Sequence, residues 1–275
     1  MNREAVVVRT STSALARWPE PPRPPVPDAV LAVVRAIHER YGEGITAAQL
    51  AAEVYVSQFH FSRVFTMAVG VSPGRFIRAV RLVAAKRLLL SSTLSIADIV
   101  CEVGYSSVGS FTSRFTATVG MTPTSYRALD VADRLVAVAP GFYRIPDGVG
   151  VLSPAAEDLG RLTLRAGFPG AGDADVFVGL FDEPVPHGEA VASTVVRGAR
   201  SGDPISLEVP AGNWWVTVAA RARGAFLASR STVEVRPDAH SFLTLLLREP
   251  EVTDVPFAAT VRTRPASVVS LRRTA

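Results

Sequence analysis

The stretch SQFHFSRVFTMAVGVSPGRF (57–76) returns fifty residues later, without a gap, as SVGSFTSRFTATVGMTPTSY (107–126). Ser57 matches Ser107, Phe61 matches Phe111, Phe65 matches Phe115 and Thr66 matches Thr116. Val69-Gly70 matches Val119-Gly120, Ser72-Pro73 matches Thr122-Pro123, and Phe76 matches Tyr126. So many agreements at one offset mark an internal repeat, and the repeat decides the fold of this region. Each copy sets a serine before a run whose apolar residues recur at three and four positions, the pattern of a capped helix with one buried face.

A shorter helix precedes each copy. In TAAQLAAEV (46–54), Thr46 and Gln49 have the spacing of a capping box, and the alanines let a second helix cross closely. In SIADIVCEV (95–103), Ser95 and Asp98 play the same part, Gly104 makes the turn, and Ser107 or Ser106 caps the next helix. Two short helices joined by a brief turn make a helix-turn-helix. Its second helix buries one side and offers the other to a DNA groove. In the first copy Phe61, Val64, Phe65 and Ala68 make the buried stripe, which turns Gln58, Phe59, Ser62, Arg63 and Thr66 outward. Arg63 has the planar donors that pair with guanine, and Gln58 suits adenine or a phosphate. The bland alternative for Arg63 is a solvated side chain or a phosphate contact. The second copy presents Val108, Gly109, Thr112, Ser113 and Thr116, with Arg114 turned partly away. So smooth a face specifies by methyl contact, close backbone approach and shape.

Between the copies, PGRFIRAVRLVAAKRLLLSS (73–92) reads as one long helix with Ser72 as cap and Pro73 in its first turn. Phe76, Ile77, Val80, Val83, Ala84 and Leu88 form its packed side. It carries Arg75, Arg78, Arg81, Lys86 and Arg87 and no acid, so some of these cations, Arg78 among them, are expected to touch phosphate. A rigid spacer of this kind lets one chain reach two major-groove segments, one turn or roughly 34 Å apart.

These motifs closely resemble the AraC/XylS family of bacterial transcription regulators. The likeness rests on the SxxxFSRVF-type helix, on FIRAVRLVAAKRLLLSSTLSIADIVCEVGY, and on FTSRFTATVGMTPTSYR, over about 100 of 275 residues. It implies a seven-helix domain that docks two reading helices into double-stranded promoter or operator DNA, with RNA polymerase as a further partner. Gln58, Phe59, Ser62 and Arg63 match the family's base-reading surface, followed by Val108, Gly109, Thr112 and Ser113. The second group departs from the polar residues often found there. The family most often places this domain last, whereas here it comes first.

The remaining chain divides by composition. Residues 1–27 end in PEPPRPPVP and read as a disordered, proline-rich leader. The all-α unit spans 28–130, with Asp28 capping a first helix. Residues 131–150, with Pro140, Gly141, Pro146 and Gly148, read as a linker. RLTLRA, DVFVGLFD, AVASTVV, PISLEV, NWWVTVAA, STVEV and SFLTLLL then alternate with turn clusters, which predicts a small all-β sandwich over 151–250. Residues 251–275 read as a loose, arginine-containing tail. SLEVPAGNWWVTVAA is weakly similar to prealbumin-type and carboxypeptidase-regulatory-type sandwiches, which implies a non-catalytic companion domain. Trp214 and Trp215 are adjacent in a strand and point to opposite faces, one to the core and one free to mark a ligand or partner surface.

Composition narrows the function classes. Formal charge is +4 overall, but +2 over 1–27, +3 over 28–130, −3 over 131–250 and +2 over 251–275, so a polyanion is expected at the helical half. One cysteine excludes an internal disulfide and a thiol zinc cluster. Cys101, aligned with Ala51, reads as a buried helix-core residue, which argues against the alternative of an enzyme such as a DNA-repair alkyl transferase fused to a DNA-binding module. A DNA-binding protein without regulation is a third reading, disfavoured because the two reading helices are unlike. Histidines 38, 60, 187 and 240 have no metal spacing, and His60 reads as a surface residue. Asp173 and Asp175 in GAGDAD (170–175) read as a hairpin loop before calcium ligands. No cofactor, metal or membrane span is expected, and a cytoplasmic location is the simplest. The sandwich is left to effector sensing, partner binding or self-association.

Overall fold

The computed structural model describes residues 26–128, 131–146, 158–170 and 172–261; residues 1–25 of the proline-rich leader and the last part of the tail lie outside them. Helix α1 (Asp28–Arg40) buries Val30, Val33, Val34 and Ile37 on one face. Pro27 holds its cap position, so Asp28 is the first helical residue and not the cap, and its carboxylate favours the positive end of the helix dipole. Helices α2 (Ala47–Glu53) and α5 (Ile96–Glu102) both open with the reciprocal bonds their sequences announce. The Gln49 N–H donates to Thr46 Oγ1 at 3.3 Å and the Thr46 N–H to Gln49 Oε1 at 2.9 Å; the Asp98 and Ser95 amides repeat the exchange at 3.1 and 3.2 Å. Helices α3 (Gln58–Val69) and α6 (Val108–Val119) are capped by Ser57 and Ser107. Helix α4 (Pro73–Ser91) runs between the motifs, and α7 (Pro123–Ala128) closes the second.

The fifty-residue offset holds for α3 and α6 but not for the helices before them. Four residues separate α2 from α3 and five separate α5 from α6, so α2 and α5 are related by forty-nine. Buried Leu50 and Ala51 therefore correspond to Ile99 and Val100. Cys101 falls opposite Ala52, and it is exposed, not buried in the helix core.

Over its described part, 131–146, the segment expected as a linker is instead structural. Strands β1 (Leu135–Ala139) and β2 (Phe142–Arg144) pair as a hairpin around Pro140 and Gly141, and every residue of β1 is buried. LVAVA lacks polar alternation because both its faces are covered. The seven strands read from the sequence come next as β3 (Leu159–Gly167), β4 (Asp173–Phe181), β5 (Ala192–Arg200), β6 (Pro204–Pro210), β7 (Gly212–Ala222), β8 (Ala225–Val235) and β9 (His240–Leu246). The tail is not loose where it is described: β10 (Phe257–Thr260) is buried and pairs with β1. The sheets run β10-β1-β2, β6-β3-β9 and β5-β4-β7-β8. The last two form the sandwich, all antiparallel except β3 with β9.

Alternation along β4 sends Val176, Val178 and Leu180 into the sandwich and Phe177 and Phe181 to its other side. That side is not solvent. Phe177 and Phe181 share a cluster with Val136, Val138 and Phe257 of the small sheet and with Ile37, Phe65 and Phe76 of the helices. One apolar network thus runs from the first motif into the sandwich. Trp214 and Trp215 face opposite ways, but both are half-buried, with Trp214 Nε1 donating to the Pro210 carbonyl at 2.8 Å. Asp173 and Asp175 sit in β4 beside Arg200 and Arg197 as ion pairs.

Polar contacts reinforce the junction. Lys86, the chain's single lysine, is fully buried in α4; its Nζ donates to the carbonyls of His187 (2.5 Å) and Ala258 (2.7 Å) and lies 5.5 Å from the centre of the Tyr126 ring. His187 belongs to the strap 182–191 between β4 and β5, which bonds to β10 through Gly188, Ala190 and Thr260. Arg75 reaches Glu183 of the same strap at 3.3 Å. Arg81 donates to the Tyr41 and Ile45 carbonyls at 2.9 and 3.0 Å. Three of the five α4 cations therefore serve the fold; Arg78, the one expected at a phosphate, is exposed and Arg87 is half-buried.

Burial pulls the Lys86 ammonium down from 10.5 to about 7, against the opposing pull of Glu183. Below about pH 7 folded and unfolded chains both hold this proton; between about 7 and 10.5 only the unfolded chain does. Its contribution to stability therefore rises with pH across that window. Because the chain has one lysine, carbon-13 lysine labelling gives a single side-chain Cε resonance, expected to titrate near pH 7. A midpoint above 10 would place the amine in solvent. Burial also holds the His187 and His38 rings below 6.5, so what they contribute is present above pH 6.5 and lost as pH falls further.

Candidate nucleic-acid interface

Both reading helices are built alike. On α3, Phe61 and Phe65 turn into the core and Val64 and Ala68 are half-buried; on α6, Phe111, Phe115 and Val119 turn inward. Each phenylalanine pair sits with ring centres 5.7 and 5.5 Å apart, and each is met by an aromatic from the next helix, Phe76 at 5.7 Å or Tyr126 at 5.5 Å. These edge contacts fix the roll of each helix and hence the side it leaves open.

On α3 that side holds Gln58, Phe59, Arg63 and Thr66, all exposed, with Ser62 half-buried. The Thr66 hydroxyl spends its proton on the Ser62 carbonyl at 2.7 Å, which leaves its lone pairs and methyl group for a partner. On α6, Val108, Gly109 and Ser113 are exposed, while Thr112 and Thr116 are half-buried. Arg114 is exposed as well and faces the α4 arginines Arg75 and Arg78 across a recess. His60 is exposed, as expected of a surface residue.

The sequence reading missed two residues of this surface. Tyr55, 96% exposed, and Met67, 74% exposed, are open apolar side chains like Phe59 at 81%. Tyr55 holds a left-handed conformation (φ 56°) where the second motif has Gly104. An aromatic residue at a position that favours glycine was the available signal. Open apolar side chains beside an arginine suit thymine methyl groups and sugar edges.

Two capped reading helices hung on one buried spacer define a tandem helix-turn-helix domain of the DNA-binding kind. Residues 50–129 match the family model described as a helix-turn-helix domain, and this part of the chain is an AraC-type domain, as the sequence resemblance implies. An uncharacterized HTH-type transcriptional regulator of Haemophilus influenzae is 40% identical over 79 residues, which are 29% of this chain and 26% of that protein. The virulence regulon transcriptional activator VirF of Yersinia enterocolitica is 32% identical over 96 residues, 35% of each. The C-terminal domain of AraT, a response regulator from Geobacillus stearothermophilus, is 27% identical, over 38% of this chain and 86% of that one, with a TM-score of 0.37. The chain thus spans about a quarter to a half of the curated relatives it matches. Among the described residues, no helix is long and apolar enough to cross a membrane.

Proposed function

We propose that this chain is a sequence-specific transcription regulator that reads two adjacent major-groove segments of promoter DNA, one with α3 and one with α6. The observation that carries the reading is the repeated design: inward phenylalanine pairs and outward polar or small residues on two helices that share α4. Arg63 and Gln58 supply hydrogen-bond readout, Phe59 supplies apolar contact, and Arg78 touches phosphate. The smoother α6 contributes fit through Val108, Gly109, Thr112 and Ser113. The sandwich is the sensing part, and it shares a core with the first motif. Contacts with RNA polymerase and pairing of two copies through the sandwich belong to the same reading.

The alkyl-transferase alternative gains no support from the exposed Cys101 thiol. The depression it lines holds Glu39, Glu43, Asp98 and Glu102 against one cation, Arg40, a net negative setting that repels a phosphodiester backbone.

Footprinting on the gene's own upstream DNA should protect about two major-groove turns. Arg63→Ala should weaken specific binding by about 1–3 kcal/mol and relax preference at one base pair, read by fluorescence anisotropy on matched and mismatched duplexes. Binding that ignores sequence would sink the regulator reading.

A further inference from the structure

A recess of about 410 Å³ opens where α4, α6 and the 182–191 strap meet, a size that small-molecule sites occupy. Arg75, Arg78 and Arg114 line it against one carboxylate, Glu183, which is already engaged with Arg75. Leu82, Phe111 and Val185 supply apolar wall, and Tyr105 stands edge-on to Phe111 with ring centres 5.2 Å apart. His187 lines the recess too, although it is buried. Its Nδ1 has no hydrogen-bond partner among the described residues. A neutral imidazole that donates through one nitrogen accepts through the other. A polar nitrogen left buried and unmet is costly, and that cost is relieved when a hydrogen-bonding group arrives.

We propose that this recess binds a small organic anion: a carboxylate held by Arg114, a flat apolar body against Leu82 and Phe111, and a hydroxyl hydrogen-bonded to His187 Nδ1. The three groups that such a molecule needs are present on walls of different origin. The strap brings Val185 and His187, and α6 brings Phe111 and Arg114. Strap and α6 also approach at the recess edge, since a Cβ on Gly188 would lie 3.2 Å from the carbonyl of Thr118, a lining residue. An occupant therefore bridges the sandwich to the second reading helix. Resting on the regulator reading above, its binding is coupled to that of DNA, and the coupling is reciprocal.

The test is calorimetry on the full chain without DNA, so that it stands whether or not the protein regulates transcription. The probes are 3-(4-hydroxyphenyl)propionate, 3-phenylpropionate, the amide of the first, and inorganic phosphate. One saturable site is expected for the hydroxyaryl carboxylate, with the amide and phosphate at least tenfold weaker and 3-phenylpropionate in between. Arg114→Gln, a surface change that leaves the core intact, should weaken the carboxylate at least tenfold, and Val185→Trp should fill the recess and remove binding. Absence of saturable binding by both carboxylates, equal binding of the amide, or an unchanged Arg114→Gln variant overturns the site. Anisotropy with upstream DNA then separates the sources of anion. A saturating shift of at least fivefold in DNA affinity supports coupling, and no shift overturns it. Competition that grows without limit overturns the small-molecule assignment and makes a DNA phosphate the occupant.

Discussion

Gly104→Ala is expected to destabilise the helical region by about 2–4 kcal/mol and to weaken DNA binding more than tenfold. Gly104 lies in the turn of the second motif with φ at 77°, and a Cβ there would sit 2.4 Å from the Tyr41 carbonyl oxygen and 3.0 Å from that of Gly42. Both are backbone atoms and cannot swing aside. Gly42 returns the contact: its own Cβ would meet the Glu102 carbonyl at 2.6 Å. The two glycines form a seam in which the turn after α1 touches the turn after α5, backbone against backbone. With α4, this seam sets the separation of the reading helices. Gly120→Ala is the control, because Gly120 has φ at 82° but nothing within 4 Å of its would-be Cβ. It carries the strain without the clash, so its thermal midpoint should fall by clearly less. Equal midpoints for the two variants would remove the seam from the argument.

The seam also explains where the sequence was legible. Helices α1 to α7 could be placed because each has a cap or a period of its own, and the sandwich strands because each alternates between turns. Three things escaped. An offset of fifty carried upstream sets Cys101 in the core, whereas the extra residue in the second turn makes the offset forty-nine there. The caps Thr46 and Ser95, which differ by forty-nine, already held that information. LVAVA and FAAT were passed over because a strand covered on both faces shows no alternation and a four-residue strand gives little pattern. Third, nothing in the sequence of α4 separates Lys86, Arg81 and Arg75 from the cations expected to touch phosphate. Charge in a helix states nothing about which carbonyls wait for it, and the acceptors for Lys86 lie 101 and 172 residues away.

A second large effect arises from how the cores divide. Phe65→Ala and Phe115→Ala remove the same side chain at matched positions, each fully buried, and each should cost about 3–5 kcal/mol. The consequences should differ. Phe65 belongs to the network that reaches Phe177, Phe181 and Phe257, so its loss loosens the first motif and the sandwich together. Phe115 belongs to a separate cluster made of one side of α4, with Leu82, Ala85 and Leu89, and of residues from Ile99 to Val131. Its loss should open α5–α7 and leave the sandwich closed. Hydrogen exchange read by mass spectrometry separates the two. Phe65→Ala should speed exchange in peptides covering α3, β4 and β7, whereas Phe115→Ala should speed it only from about residue 95 to 128. Equal acceleration of β4 in both variants would mean one undivided core. The expected division makes the first motif and the sandwich a single body with the second motif hung from it along α4. Arg63 and Gln58 then belong to the fixed part, and α6 is the reading helix that an occupant of the arginine-lined recess repositions.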